Sequence, residues 1–189
     1  MKLNKANYHS SEANRYYMSN SQYRDFLTCE AMAMAKLNGW MEPQSDSLLL
    51  GSYVHAYFEG LSAHKKFIED HPEMFSSRGQ TKGELKSQFK IANDMISALE
   101  NEPLCIFVMQ GEKEFIITSE MFGAPWKIKI DFYNPDSNRF ADLKTVQNIR
   151  KQVWDPKRGY VTFVEANGYL TQLAIYAEVE RLYAGRDGW

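Results

Sequence analysis

The sequence is short of cysteine, of charge imbalance and of long apolar runs, and each shortage removes a class of protein. Two cysteines, Cys29 and Cys105, in 189 residues fall short of the four ligands of an iron–sulfur cluster, so no such cluster is expected, and they form no Cys/His zinc pattern. Their scarcity suits a reducing compartment. No apolar stretch approaches the ~20 residues needed to cross a bilayer, and the opening MKLNKANYHSSEANRYY lacks the apolar core of a signal peptide. A cytoplasmic protein with no membrane partner is expected. The formal net charge is only −2, so any contact with a polyanion must be local. What is present is ordinary for a globular chain: 44% apolar, 14% aromatic and 24% charged residues, in a length that fits one domain over residues 1–189.

Periodicity divides the chain into a helical part, a strand meander and a last helix. SNSQYRDFLTCEAMAMAKLNG repeats apolar residues at Tyr23, Phe26, Leu27, Ala31 and Met34 and closes on Gly39, predicting a first helix. SDSLLLGSYVHAYFEGLSAHKKFIED predicts a second, ended by His71-Pro72. TKGELKSQFKIANDMISALENEP predicts a third, opened by a Thr81/Glu84 capping box and stopped before Pro103. The helical part thus covers about residues 19–100. PLCIFVM fits either a buried strand or a helical turn. GEKEFIITSEMFG, WKIKIDFY and RFADLKTV have strand composition, a meander over about 111–146, and a final helix follows the loop WDPKRG over about 161–184, with Gly185 as its stop. The order suggests an α+β or mixed α/β protein.

The segment KIKIDFYNPDSNRFADLKT poses an electrostatic question. A four-residue loop from Pro135 to Asn138 pairs Asn134 with Arg139, which puts Asp131 opposite Asp142 and Lys129 opposite Lys144. Directly opposed residues have Cβ atoms about 5 Å apart, so like charges there repel. Ile128, Ile130, Phe132, Ala141 and Leu143 take the other face, which is the core side. Lys144 can offset the repulsion, and so can a divalent cation held by both carboxylates. The same residues also fit a solvated charge network across the strands. Elsewhere, Gly51 shares a helix face with His55, leaving room for another element beside the imidazole. Gln172 and Tyr176 likewise project from one helix face.

In this order, Gly51-x-x-x-His55, Ile130-Asp131, Asp142-x-Lys144 and Gln172-x-x-x-Tyr176 resemble the PD-(D/E)XK nuclease superfamily. They are most similar to the branch of RecB-type nuclease domains, CRISPR-associated spacer-acquisition exonucleases and phage or prophage exonucleases of the exodeoxyribonuclease VIII type. YYMSNSQYRDFLTCEA resembles the opening helix of that branch, where Cys29 falls at the first cysteine of a four-cysteine site whose other three are missing here. Asp142 stands where many relatives carry glutamate. The resemblance implies an α/β restriction-endonuclease-like core, a central mixed sheet with an antiparallel hairpin flanked by helices. That fold usually adds a strand after the last helix, yet this sequence ends at Trp189, which leaves either a chain truncated at its C-terminus or an edge completed differently.

The resemblance also implies roles. Asp131, Asp142, the main-chain carbonyl of Leu143 and His55 would hold Mg2+ or Mn2+, with Lys144 on the attacking water and Gln172 and Tyr176 positioning DNA or water. Of two glutamates on the preceding strand, Glu114, just after Gly111, is favoured over Glu120 as an extra ligand, and Glu59 could orient His55. For DNA contact, Lys82, Lys86 and Lys90 would form a helical stripe, while RKQVWDPKRG offers Arg150, Lys151, Lys157 and Arg158 around Trp154. The implied activity is exonucleolytic hydrolysis of duplex DNA from its ends, 5′ to 3′, in phage or prophage recombination inside a bacterial or phage-infected cell, with an endonuclease or nickase of the same superfamily and a catalytically silent DNA-binding protein as the alternatives. A ring-shaped homo-oligomer working with a single-strand annealing protein is the implied assembly.

Overall fold

Helical spacing in the first hundred residues and alternation after residue 111 account for most of the elements in the computed structural model, which describes residues 1–187. In chain order these are α1 (Ser11–Tyr16), α2 (Asn20–Thr28), α3 (Glu30–Leu37), α4 (Asp46–Glu59), α5 (Leu61–Asp70), α6 (Ile91–Glu100), α7 (Pro103–Val108), β1 (Glu112–Met121), β2 (Ala124–Asn134), β3 (Arg139–Ala141), β4 (Val153–Asp155), β5 (Gly159–Val161), α8 (Phe163–Ala166) and α9 (Tyr169–Tyr183). Strands β1, β2 and β3 form one sheet in that order, and β4 and β5 a separate ribbon. No helix among the described residues is long and apolar enough to cross a membrane.

Several expected elements are corrected. The first helix breaks at Cys29, whose extended backbone both ends α2 and caps α3. The second breaks at Gly60, where φ of 144° lies outside the helical region. The third begins ten residues late. Thr81 and Glu84 make no capping box, because the Ser76 backbone bonds to Gly83 and Glu84 in a small hairpin: the Ser76 N–H donates to the Glu84 carbonyl at 2.8 Å, and the Gly83 N–H donates to the Ser76 carbonyl at 2.8 Å. The Lys82, Lys86, Lys90 stripe therefore does not exist, since all three precede α6, and Lys90 pairs with Glu84 at 3.4 Å. PLCIFVM resolves as the helix α7. The last helix is split at Gly168 (φ 66°), with Thr162 and Glu165 forming a capping box at the start of α8. WDPKRG is the turn of a β-ribbon rather than a plain loop, and α1 has no counterpart in the sequence reading.

The hairpin register over residues 132–141 is as expected, with Asn134 opposite Arg139, Tyr133 opposite Phe140 and Phe132 opposite Ala141. Ile128, Ile130 and Phe132 are buried. The strand expected over RFADLKTV, however, stops at Ala141, so neither Asp131 and Asp142 nor Lys129 and Lys144 are ladder partners. One reason is local: the Leu143 N–H donates to Asp131 Oδ2 at 2.7 Å, so a side chain takes the donor next along the chain. At the other end of β2, Phe122 and Gly123 join it to β1 with φ of 55° and 72°, a two-residue turn with both central residues left-handed.

The chain forms two compact units. One comprises Met1–Met41, Phe115–Ile130 and the chain from Val146 on; the other comprises Glu42–Glu114 and Asp131–Thr145. In the first, Met18 bridges Trp126 in parallel fashion, adding a parallel contact beside β2. Lys127 is buried there, its Nζ donating to the Tyr8 carbonyl at 2.5 Å and to Asn14 Oδ1 at 2.7 Å. Burial pushes the Lys127 amine down to about 8. The unfolded chain, with its lysine near the ordinary value, therefore binds more protons between about pH 8 and pH 10, and stability from this group rises with pH across that window. The urea midpoint of the native protein is expected to gain on that of Lys127→Met from pH 7 to pH 9.5; a shrinking difference contradicts this.

The second unit is built on a core of Leu49, Tyr53 and Val54 from α4 with Met74, Leu85, Phe89, Ala92 and Ile96, against which Leu143 packs. This core ties the α4 helix to the segment after β3. Gly111 enters β1 with φ of 128°, and a Cβ there would lie 2.2 Å from the Tyr133 carbonyl oxygen. Backbone cannot yield as a side chain can, so Gly111→Ala is expected to lower stability by about 2 kcal/mol or more, read as a fall in melting temperature.

Candidate active site

His55 is carried by α4, whose buried Leu49, Tyr53 and Val54 lock the helix to its core. One turn earlier Gly51 is buried, and a Cβ on it would come 2.8 Å from Thr145 Oγ1. The residue that exploits the missing side chain is thus the one directly after Lys144. Close approach there brings the end of the Asp-x-Lys segment onto α4.

Asp131, on β2 just before the residues paired with β3, is the centre of the arrangement. Its side chain is 12% exposed, and Oδ2 lies 3.6 Å from His55 Nδ1 while accepting the Leu143 N–H. Glu114 joins them: one ligand atom each from His55, Glu114 and Asp131 lie within 4.8 Å of one another. Glu114 reaches this position through a backbone φ of 54°, a left-handed value rare for a residue with a side chain and a departure from pleated strand geometry. Asp142, with a side chain 9% exposed, is paired with Lys144 and lies outside the tight group of three.

The electrostatics follow from this crowding. Burial pushes the Asp131 carboxyl up to about 6, and Asp142 adds to the rise; His55, the Leu143 N–H and Lys144 pull the other way. Three carboxylates thus gather beside one ammonium and one imidazole. A hard divalent cation fits this donor set, since carboxylate oxygens with one imidazole nitrogen suit Mg2+ or Mn2+ and an ion there would offset the charge that burial disfavours. Glu59, one turn after His55, is half-buried, and Glu120 is exposed on the part of β1 that belongs to the other unit.

The remaining sequence-derived candidates lie in the first unit. On α9, Gln172 and Tyr176 are both buried, on successive turns as expected. Lys151, Trp154, Lys157 and Arg158 are exposed on and around the β4–β5 ribbon.

A family model described as "PDDEXK-like domain of unknown function (DUF3799)" matches residues 19–188. The chain belongs to this family. It is accordingly a member of the PD-(D/E)XK nuclease superfamily with a restriction-endonuclease-like fold, and such nucleases generally use divalent metals. A crystal structure of a protein from Eubacterium rectale, described as a "putative exonuclease", is similar with a TM-score of 0.88 and 41% sequence identity, covering 98% of this chain and 70% of that one. No curated protein matches the sequence.

Two residues of this PD-(D/E)XK chain escaped the sequence reading. Glu180 continues the Gln172, Tyr176 face by a further turn; it is 1% exposed and paired with Arg186. The spacing of four that linked Gln172 to Tyr176 could have found it. Tyr160 lies directly across the ribbon from Trp154. Its signal was the turn Asp155-Pro156-Lys157-Arg158-Gly159, whose flanks pair only once a hairpin is assumed.

Proposed function

We propose that this chain is a Mg2+- or Mn2+-dependent exonuclease that hydrolyses phosphodiester bonds from the ends of duplex DNA, with residues 1–189 acting as one nuclease domain. The observation that carries this reading is the convergence of His55, Glu114 and Asp131 beside the Asp142–Lys144 pair. His55, Glu114, Asp131, Asp142 and the Leu143 carbonyl would hold the ion. Bound there, it would make a water more acidic and offset charge on the scissile phosphate.

The protein's own groups have separate tasks. Asp131 is fixed by the Leu143 N–H, so its second oxygen keeps a defined direction. Asp142 restrains Lys144, which would orient the attacking water as an ammonium, or help remove the water's proton once it is the neutral amine. Gln172 and Tyr176 would position DNA or water from α9. The name of the Eubacterium rectale relative favours an exonuclease over an endonuclease. A 5′ to 3′ polarity, a role in phage or prophage recombination beside a single-strand annealing protein, and a ring-shaped homo-oligomer complete the reading.

A time course on end-labelled linear duplex and closed circular duplex with Mg2+ tests it. Linear DNA should shorten from its ends, with a 5′ label released first, while the circle survives and Asp142→Ala is inactive on both. Nicking of the circle would make the protein an endonuclease, and binding without hydrolysis would make it a silent DNA-binding protein.

A further inference from the structure

The β4–β5 ribbon pairs Val153 with Val161, Trp154 with Tyr160 and Asp155 with Gly159. Alternation then gives the ribbon two unlike faces. Val161 is buried, so its face docks the ribbon on the protein. The opposite face presents Trp154 and Tyr160, 63% and 71% exposed, with ring centroids 5.2 Å apart and planes at 73°. Two large aromatic side chains side by side in solvent are unusual unless something covers them.

The pair is held in place. Gly159 supplies the left-handed φ of 79° at the end of the turn, and the Trp154 ring packs over it, 3.8 Å from where a Cβ would sit. The turn is closed by Asp155, whose Oδ1 accepts from the Lys157 and Arg158 N–H groups at 2.9 Å each. A fixed ring loses little freedom on meeting a ligand.

The chain around the pair is richer in cations than in acids. Between Val146 and Val164, Asp155 is the only acidic residue, against Arg150, Lys151, Lys157 and Arg158. Arg158 is engaged by Asp155 at 3.4 Å and by Glu165 at 4.0 Å. Arg150, Lys151 and Lys157 enter no ion pair among the described residues. Exposed aromatic faces flanked along the chain by cations match unpaired bases on a phosphate backbone, because stacking tolerates any base and the cations track the phosphates. A protein partner would be expected to cover apolar surface without this excess of positive charge.

We propose that the β4–β5 ribbon is a single-stranded DNA grip, in which Trp154 and Tyr160 stack on unpaired bases while Arg150, Lys151 and Lys157 hold the adjoining phosphates. The inference rests on the reading of the chain as a DNA-acting enzyme and deepens it by naming unpaired bases as what the ribbon recognises. Such a grip holds a strand once its partner has been removed or frayed.

Fluorescence anisotropy with the full chain in a chelator, so that no hydrolysis occurs, tests the grip separately from activity. The probes are a 20-mer of thymidylate, an abasic 20-mer with the same phosphates, and a blunt duplex. The native protein should bind the thymidylate strand about 5- to 100-fold more tightly than the abasic strand. Trp154→Ala and Tyr160→Ala should each erase most of that preference and leave abasic binding unchanged. Lys157→Gln should weaken both single strands and flatten their salt dependence. Equal binding of the two single strands overturns the proposal, as does Trp154→Ala or Tyr160→Ala with unaltered preference and an unchanged melting curve; tightest binding of the duplex would assign the ribbon to duplex phosphates instead. Failure of the nuclease reading appears separately, as linear DNA left intact in Mg2+ by a protein that still prefers thymidylate.

Discussion

Asp131→Asn is expected to abolish DNA hydrolysis, by about a thousandfold or more, while the metal-free protein melts at the same temperature or higher. The two halves of this result have different causes. Asparagine keeps the shape of the side chain and retains an oxygen that can accept the Leu143 N–H, so the end of the hairpin stays tied. It also removes a charge that burial and Asp142 disfavour, which is why the metal-free fold has nothing to lose. Activity goes because a carboxylate at the centre of the donor set is gone; several kcal/mol of transition-state stabilisation correspond to about three powers of ten or more in rate. A further readout is the response to metal. At a hundredfold excess over its dissociation constant, an ion binding only the folded state adds about 2.7 kcal/mol, or roughly 5–10 °C in melting temperature for a chain of this size. Native protein should show this rise in Mn2+, and Asp131→Asn should show little of it. A variant that retains full hydrolysis would remove Asp131 from the mechanism.

Lys144→Ala should separate a residue that acts on the water from one that binds metal. The Lys144 ammonium is paired with Asp142 and is a third exposed, so it can turn from that partner toward a substrate. Removing it is expected to lower the rate by about 10²–10⁴-fold, the usual range for a proton-handling group. The metal-induced rise in melting temperature should persist or grow, since the negative charge around Asp142 would lose its internal counter-ion. Lys144→Arg keeps the charge but not the compact donor and should recover little activity. If Lys144→Ala left hydrolysis intact, the ammonium would be no more than a salt-bridge partner of Asp142.

These expectations concern residues that the sequence shows unequally well. Alternating Ile128, Ile130 and Phe132, followed by Pro135 to Asn138, made the β2–β3 register readable, because strand alternation and turn chemistry are local. The gap at Gly51 beside His55 was readable for the same reason, although nothing local named Thr145 as its occupant. What the sequence hid was competition. Thr81 and Glu84 have the spacing of a helix cap, yet Ser76 takes up the backbone groups of Gly83 and Glu84, and the lysine stripe disappears with the helix. RFADLKTV has strand composition, yet the Asp131 side chain takes the Leu143 N–H. Glu114 and Glu120 are indistinguishable by composition; a left-handed backbone at Glu114 sets it beside His55 and Asp131, and periodicity cannot foresee a departure from the pleat. Trp154 stood out at once, whereas Tyr160 gained meaning only as its partner across a ribbon.

His55, Glu114, Asp131 and Asp142 are expected to surround one divalent ion. Anomalous diffraction from crystals soaked in Mn2+ addresses it most directly. A single strong peak should appear about 2.0–2.6 Å from oxygens of Asp131 and Asp142, with the His55 imidazole turned onto it and Lys144 released from Asp142. A soaked crystal with no peak between these side chains, and with Lys144 still clasping Asp142, would contradict it.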